Sequence, residues 1–423
     1  MAPVLRRIAG LLILVIAPIA TAVAGVAAFL LAALVSSDVR VLCLTGLAAG
    51  ALTAFALALP GWSLVRRRRF ATGYACLVVV VCAASFSLAV LVPGPRPGAG
   101  PTPSGVGFWA LRTGSHIAYV HRPAAGQPRP YPVLFLHGGP GTPGEGLPAV
   151  TADLSAAGFN AYAYDQLGAG RSTRLRDVRG YTVARQVADL EAIRVTLGVD
   201  RLILVGQSWG GSLAAQYLAA HPQHVQQAVF TSPGPIWPRA WAGGGGGDPW
   251  ARLSTEQRRR RDAVLDHPRI LAQAVLQQIN PNAAHSLVGD DEADEMLHRV
   301  AVLGKDATAC PGSASAPVHG NHQGFYVNQL TVADFDTIAD PRPALRTTAV
   351  PALIMRGACD FVPWPVTREY RDVLPQAVLV AIPGAGHGIA AGQPALYSQL
   401  LLAFLTGRRL PLTPYTAESP PSA

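Results

Sequence analysis

The stretch LILVGQSWGGSLAAQY, Leu202 to Tyr217, decides the fold. It opens with an apolar, β-branched run suited to a strand buried on both faces, crosses Gly206-Gln207-Ser208-Trp209-Gly210, and passes at once into Ala-rich helical sequence. A strand that turns so sharply into a helix strains the backbone of its central residue. The flanking glycines are needed because side chains there would collide. The serine is thereby carried to the carboxyl end of the sheet, where ligands of open parallel sheets bind. It also meets the free N–H groups of a helix N-terminus, which favour negative charge. Taken alone, the pentapeptide is equally well read as a serine cap between strand and helix.

The surrounding chain repeats the alternation. HIAYVHR, YPVLFLHG, GFNAYAYDQLG, RLILVGQ, QAVFTS, VPALIMRG and AVLVAIPG read as strands, several of them continuous apolar runs. Between them lie helical patterns such as TVARQVADLEAIRVTLG, which stops at Gly198. The expected fold class is therefore α/β, a mostly parallel sheet flanked by helices, over residues 105–410. Residues 235–328, with a Gly243–Gly247 run and little strand pattern, are expected to form a helical lid inserted after one strand. A disordered tail is expected over 411–423.

Two further stretches give the serine a chemical context. A hydroxyl is a poor nucleophile unless a base takes its proton and an acid orients that base. Asp360 stands just past VPALIMRG and His387 just past AVLVAIPG, in the chain order Ser, Asp, His that this topology requires. HGGPG, His137 to Gly141, follows a buried strand directly. Backbone N–H groups of Gly139 and Trp209 are the expected donors to an oxyanion, each worth on the order of 3 kcal/mol.

HGGPG, DQLGAGRS (Asp165–Ser172), GQSWGG, CDFVPW and GAGHG together resemble the α/β-hydrolase fold and, within it, the proline iminopeptidase family of serine aminopeptidases. The resemblance implies Ser208 as nucleophile, His387 as base and then acid, and Asp360 as the residue that orients it, with no cofactor. Asp165 and Arg171 are expected to be structural. The family's lid glutamates hold the substrate's free α-amino group, one of them just before an Asn-His pair. Here Gly320 stands at that place in HGNHQGFYVN. The lid acids Glu256, Asp291 and Glu292 are the candidate substitutes, against the plainer reading of GDDEADE as a solvated acidic helix.

Residues 1–92 differ in kind. Ile8–Val35, Val41–Leu64 and Tyr74–Val92 are three apolar runs, each long enough to cross a hydrocarbon core about 30 Å thick. The first is too long for the apolar part of a cleaved signal, and two more follow. Arg6 and Arg7 before the first run and Arg66 to Arg69 between the second and third place those segments in the cytoplasm by the positive-inside bias. A multi-pass membrane protein is expected, its hydrolase domain outside the cytoplasm beyond a Pro/Gly linker at 93–104.

The formal charge of +9 does not require a nucleic acid, because the Arg66–Arg69 cluster suits anionic headgroups and no nucleic-acid motif accompanies it. His319 and His322 lack the further ligands of a metal site, so no metal is expected. Cys310 and Cys359 could pair in an oxidising compartment, but the sequence does not show that their Cα atoms come close enough, and unpaired thiols are the expectation. The partners expected are the bilayer and a peptide or small acyl or amide substrate; the oligomeric state is open. An ester or lactone hydrolase with the same triad is the alternative, and a silent surface-binding domain the third reading.

Overall fold

The computed structural model describes residues 2–96, 102, 104–313, 315 and 318–422. Half of the Pro/Gly linker, 97–101 and 103, therefore lies outside the described residues, as does Ala423. The chain divides into two compact units: Met1–Pro95 with Ala263–Glu292, and Arg96–Asp262 with Ala293–Ala423.

In the first unit, α1 (Ala2–Ala32), α2 (Val39–Leu64) and α3 (Ala71–Phe86), the last continuing as a wider turn through Ser87–Leu91, are long and apolar enough to cross a membrane. α2 buries Leu42, Gly46, Gly50, Ala54 and Ala58, one residue per turn. Small side chains on that stripe let helix backbones approach closely, the packing that apolar helices use where lipid removes the hydrophobic drive. At Gly46 an added Cβ would lie 2.8 Å from the Gly25 carbonyl oxygen, so the α1–α2 contact tolerates nothing larger.

The second unit is an eight-stranded sheet in the order β1-β2-β4-β3-β5-β6-β7-β8. Its strands are β1 (Val106–Ala110), β2 (His116–Arg122), β3 (Val133–Leu136), β4 (Ala161–Tyr164), β5 (Leu202–Gln207), β6 (Val225–Thr231), β7 (Ala352–Gly357) and β8 (Ala377–Ile382). β1 and β2 pair antiparallel, as do β2 and β4; every other pairing is parallel. The edge strand β1 was not foreseen. It is five residues long, holds a glycine and leaves Phe108 exposed.

Helices α4 (Thr151–Ala156), α5 (Val183–Thr196) and α6 (Trp209–Ala220) alternate with the strands. α5 begins where the Thr182 side chain accepts the Arg185 N–H, an ordinary N-cap. α6 is buried from Trp209 to Leu218, which its glycines and alanines permit. The insertion carries α7 (Thr255–Leu265), α8 (Pro268–Ile279), α9 (Pro281–Leu287) and α10 (Asp290–Gly304). After it come α11 (Phe325–Phe335), α12 (Arg342–Leu345), α13 (Trp364–Val373), α14 (Ile389–Gly392) and α15 (Pro394–Leu405).

Three expectations change. The insertion is not one lid, because residues 263–292 pack as part of the helical unit. Its flanks stay with the sheet. The tail is not loose: Tyr415 N–H donates to the Leu379 carbonyl at 2.7 Å, Glu418 pairs with Arg368 and Arg371, and Trp364 Nε1 donates to the Glu418 carbonyl. Cys310 and Cys359 form a disulfide across 49 residues.

Candidate active site

The three candidate catalytic residues stand beyond the carboxyl ends of parallel strands. Ser208 follows β5, Asp360 follows β7 and His387 follows β8. Ser208 has φ 54° and ψ −117°, a conformation that L residues avoid and that surrounding packing must enforce. The enforcement comes from the two glycines. A Cβ on Gly206 would strike the Gly210 carbonyl, and one on Gly210 would strike the Leu136 carbonyl. The turn is thus pressed against the end of β3.

His387 Nδ1 donates to Asp360 Oδ1 at 2.8 Å, which leaves Nε2 as the basic nitrogen. Of the two hydrogen bonds that a Ser–His–Asp relay needs, this is the one the structure holds. Asp360 is buried, its Oδ1 also accepting the Val362 N–H at 3.1 Å, with the Arg356 guanidinium 3.8 Å from Oδ2. Burial by itself would raise the carboxyl's pKa. His387 and Arg356 outweigh it and hold it below the usual range, so the group stays ionised.

The loop that carries Asp360 is fastened to the insertion. Cys359 is bonded to Cys310, and Arg252 donates to the carbonyls of both Cys359 and Asp360, the latter at 2.9 Å. The pairing could not be read from spacing, since the partners belong to separate segments brought together only by the fold.

Gly139, at φ 116°, and Trp209, the first residue of α6, carry the two expected oxyanion donors. Neither N–H has an acceptor among the described residues. A network missed at the sequence level steadies the loop around Gly139. His137 Nε2 accepts the Gln166 N–H at 2.9 Å, so Nδ1 carries the proton and donates to the Gly138 carbonyl at 2.9 Å. The Gln166 amide donates to the His137 carbonyl at 2.9 Å and accepts Trp209 Nε1–H at 3.0 Å. Burial lowers the His137 pKa to about 4, which keeps the ring neutral in this role. Gln166 lies within DQLGAGRS, the motif that was the only available signal.

A cavity of about 630 Å³ adjoins the turn, with Gln207 and Gly388, the neighbours of Ser208 and His387, in its wall. Glu145, Arg171, His319 and Asn321 line it too. Arg171 pairs with Glu145 at 3.1 Å, while its backbone N–H donates to Asp165 Oδ2 at 2.8 Å. Asn321 Nδ2 donates to the Gly144 carbonyl at 2.8 Å and reaches Asp165 at 3.2 Å. Among the described residues, Glu145 and Asp165 are the only carboxylates in the wall.

Of the lid acids, only Glu256 belongs to the unit that holds the cavity, and it is not in the wall. Glu292 is buried in an ion pair with Arg269 inside the helical unit, Glu256 is paired with Arg259 and Arg260 on an exposed helix, and Asp291 is exposed. Local ion pairing and the division of the insertion explain the difference.

Residues 131–391 match the family model described as alpha/beta hydrolase fold. A proline iminopeptidase of Xylella fastidiosa is 29% identical over 64% of this chain and 88% of its own length. One from Heyndrickxia coagulans is 38% identical over 25% of this chain, a match spanning 37% of that protein. The crystal structure of a Mycobacterium smegmatis proline iminopeptidase superposes with a TM-score of 0.46 at 22% identity, covering 71% of this chain and 98% of that one.

Proposed function

Because the chain belongs to the α/β-hydrolase fold family, we propose that this hydrolase is a membrane-anchored serine aminopeptidase that releases N-terminal residues through an acyl-enzyme. The observation that carries the reading is the strained Ser208 turn on the same sheet edge as the His387–Asp360 hydrogen bond of 2.8 Å. His387 Nε2 takes the Ser208 hydroxyl proton as Oγ attacks the scissile carbonyl, and returns it to the leaving amine as the C–N bond breaks. Water then attacks the acyl carbonyl and loses its proton to the same nitrogen, which passes it to Ser208 Oγ as the acyl C–O bond breaks and the acid leaves. Gly139 and Trp209 N–H groups receive the oxyanion in both halves.

Glu145 is the carboxylate proposed to meet the substrate's α-ammonium, since it lines the cavity where the lid acids do not. The sequence likeness to proline iminopeptidases supports the substrate class. Anchoring by α1–α3, with the hydrolase unit outside the cytoplasm, is supported by the arginine pattern and by a Cys310–Cys359 disulfide of the kind that oxidising compartments sustain.

A second reading, acyl-ester hydrolysis, is favoured by two observations. Gly320 stands where the resemblance implies a glutamate, and Arg171 already neutralises Glu145. The deciding experiment offers the full chain in detergent, and its Ser208→Ala variant, aminoacyl arylamides with free and acetylated N-termini beside aryl esters. Ser208-dependent cleavage confined to free-amine arylamides supports the aminopeptidase. Cleavage of esters alone, or equal turnover of acetylated substrates, replaces it with the esterase.

A further inference from the structure

The segment 263–292 leaves the hydrolase unit and is held by the ends of all three long apolar helices. Asn280 Nδ2 donates at 3.0 Å to the Ala33 carbonyl, just past α1. The Val39 N–H, which opens α2, donates at 3.4 Å to Ser286 Oγ. Beyond α3, the Val90 carbonyl accepts Arg269 Nη1–H at 2.7 Å, and the Gly94 N–H donates to Glu292 Oε1 at 2.8 Å. The end of α1, the start of α2 and the exit from α3 share one end of an up-down-up bundle. One insertion ties that end together.

The clasp centres on a buried ion pair. Arg269 and Glu292 are each 4% exposed and meet through two hydrogen bonds of 2.6 and 2.9 Å, while Arg269 Nη2 also donates to the Leu287 carbonyl at 2.6 Å. Such a pair, once desolvated, is stable only with its remaining donors and acceptors satisfied, and here the partners come from the segment and from the exit of α3.

The outward side of α8 has the opposite character. Arg269, Gln273 and Leu276 face in, whereas Leu271 and Val275, one turn apart, are 50% and 45% exposed. No charged side chain occurs from Ile270 to Ala284. At the same end of the bundle, Leu34, Val35, Leu88 and Val92 are exposed apolar residues as well. α8 packs beside the Ser87–Leu91 turn that carries Leu88.

We propose that residues 263–292 form a second membrane attachment, with α8 lying in the outer-leaflet interface and Leu271 and Val275 set among acyl chains. This rests on the reading of α1–α3 as membrane spans. The partner is the apolar part of the leaflet and not its charge, because the exposed face carries no lysine or arginine to attract anionic headgroups. The chain passes between the two units after Pro95, after Asp262 and after Glu292, so the hydrolase is tethered at the insertion as well as at the linker.

The test uses the full chain in phosphatidylcholine vesicles, with a protease site placed between Gly98 and Ala99. A nitrobenzoxadiazole label is carried on Leu271→Cys or Val275→Cys, with Cys43, Cys76 and Cys82 replaced by alanine. Expected are retention of the cleaved hydrolase on floated vesicles at low and high salt, and stronger quenching of the label by a shallow lipid-borne nitroxide than by aqueous iodide. The same label on Val195→Cys, on α5, should behave oppositely. Leu271→Glu with Val275→Glu, a change at exposed positions, should reduce retention after cleavage. If the Leu271 and Val275 labels report water while the uncut chain floats, the attachment is overturned and the spans stand, and any retention of the cleaved hydrolase is then owed to the hydrogen bonds with α1–α3. If the uncut chain does not float, both readings fall.

Discussion

His387 Nδ1 lies 2.8 Å from Asp360 Oδ1, and that oxygen also receives the Val362 N–H at 3.1 Å. The carboxylate is thus aimed by its own loop before the imidazole docks on it. In Asp360→Asn an amide nitrogen can take the place of one oxygen and stabilise the wrong imidazole tautomer. We expect kcat to fall by about 10⁴ with the fold intact, measured by steady-state kinetics beside circular dichroism. A loss of less than tenfold would remove Asp360 from the mechanism.

The Cys310–Cys359 bond closes 49 residues and sits next to Asp360. Opening it in Cys310→Ser/Cys359→Ser should lower stability by about 2–4 kcal/mol, through the freedom returned to the unfolded chain. It should also lower kcat, because the loop of Asp360 is then held by noncovalent contacts alone, among them the hydrogen bonds with Arg252, Val362 and His387 and that from the Cys359 N–H to the Ala385 carbonyl at 2.9 Å. Thermal unfolding and kinetics with and without reductant measure both effects. An unchanged kcat in the reduced protein would show the bond to be purely a brace.

His137 binds its proton in the folded state only near pH 4, against 6.5 for the free side chain. Between those values the unfolded chain holds more protons than the folded one, so stability falls as pH drops through the window. The loss is about 3 kcal/mol at most. His137→Asn should flatten the dependence of the unfolding midpoint on pH from 6.5 to 4, apart from its own cost to the loop. An equally steep slope in the variant would assign the acid sensitivity to another group.

Glu145→Gln separates recognition from chemistry. For free-amine arylamides KM should rise about tenfold or more, the scale of one lost charge-assisted hydrogen bond, while acetylated or ester substrates keep their KM. A uniform change across all substrates would mean that Glu145 serves only to hold Arg171.

Strands β3 to β8 and the Ser208 turn were legible because buried parallel strands need continuous apolar runs and the turn admits only glycine at two places. What escaped the reading depends on partners remote in sequence. Glu292 looks like one more acid in GDDEADE until Arg269 and Gly94 are seen against it. Glu145 sits in a Gly/Pro-rich loop with no periodicity, and its place in the cavity wall is set by Arg171, 26 residues on. Tyr415 and Glu418 read as tail because their anchors, Leu379, Arg368 and Arg371, lie on β8 and α13.

The backbone of Ser208 has a consequence for selection. At φ 54° and ψ −117° any side chain is held against its preference, at a cost of order 1–3 kcal/mol, and only glycine escapes. Ser208→Gly should therefore melt at a higher temperature than the native chain while losing its chemistry. Drift toward a sturdier molecule runs through loss of the reaction at this position. Persistence of a serine there across generations would record continuous use of the enzyme and not the needs of its architecture.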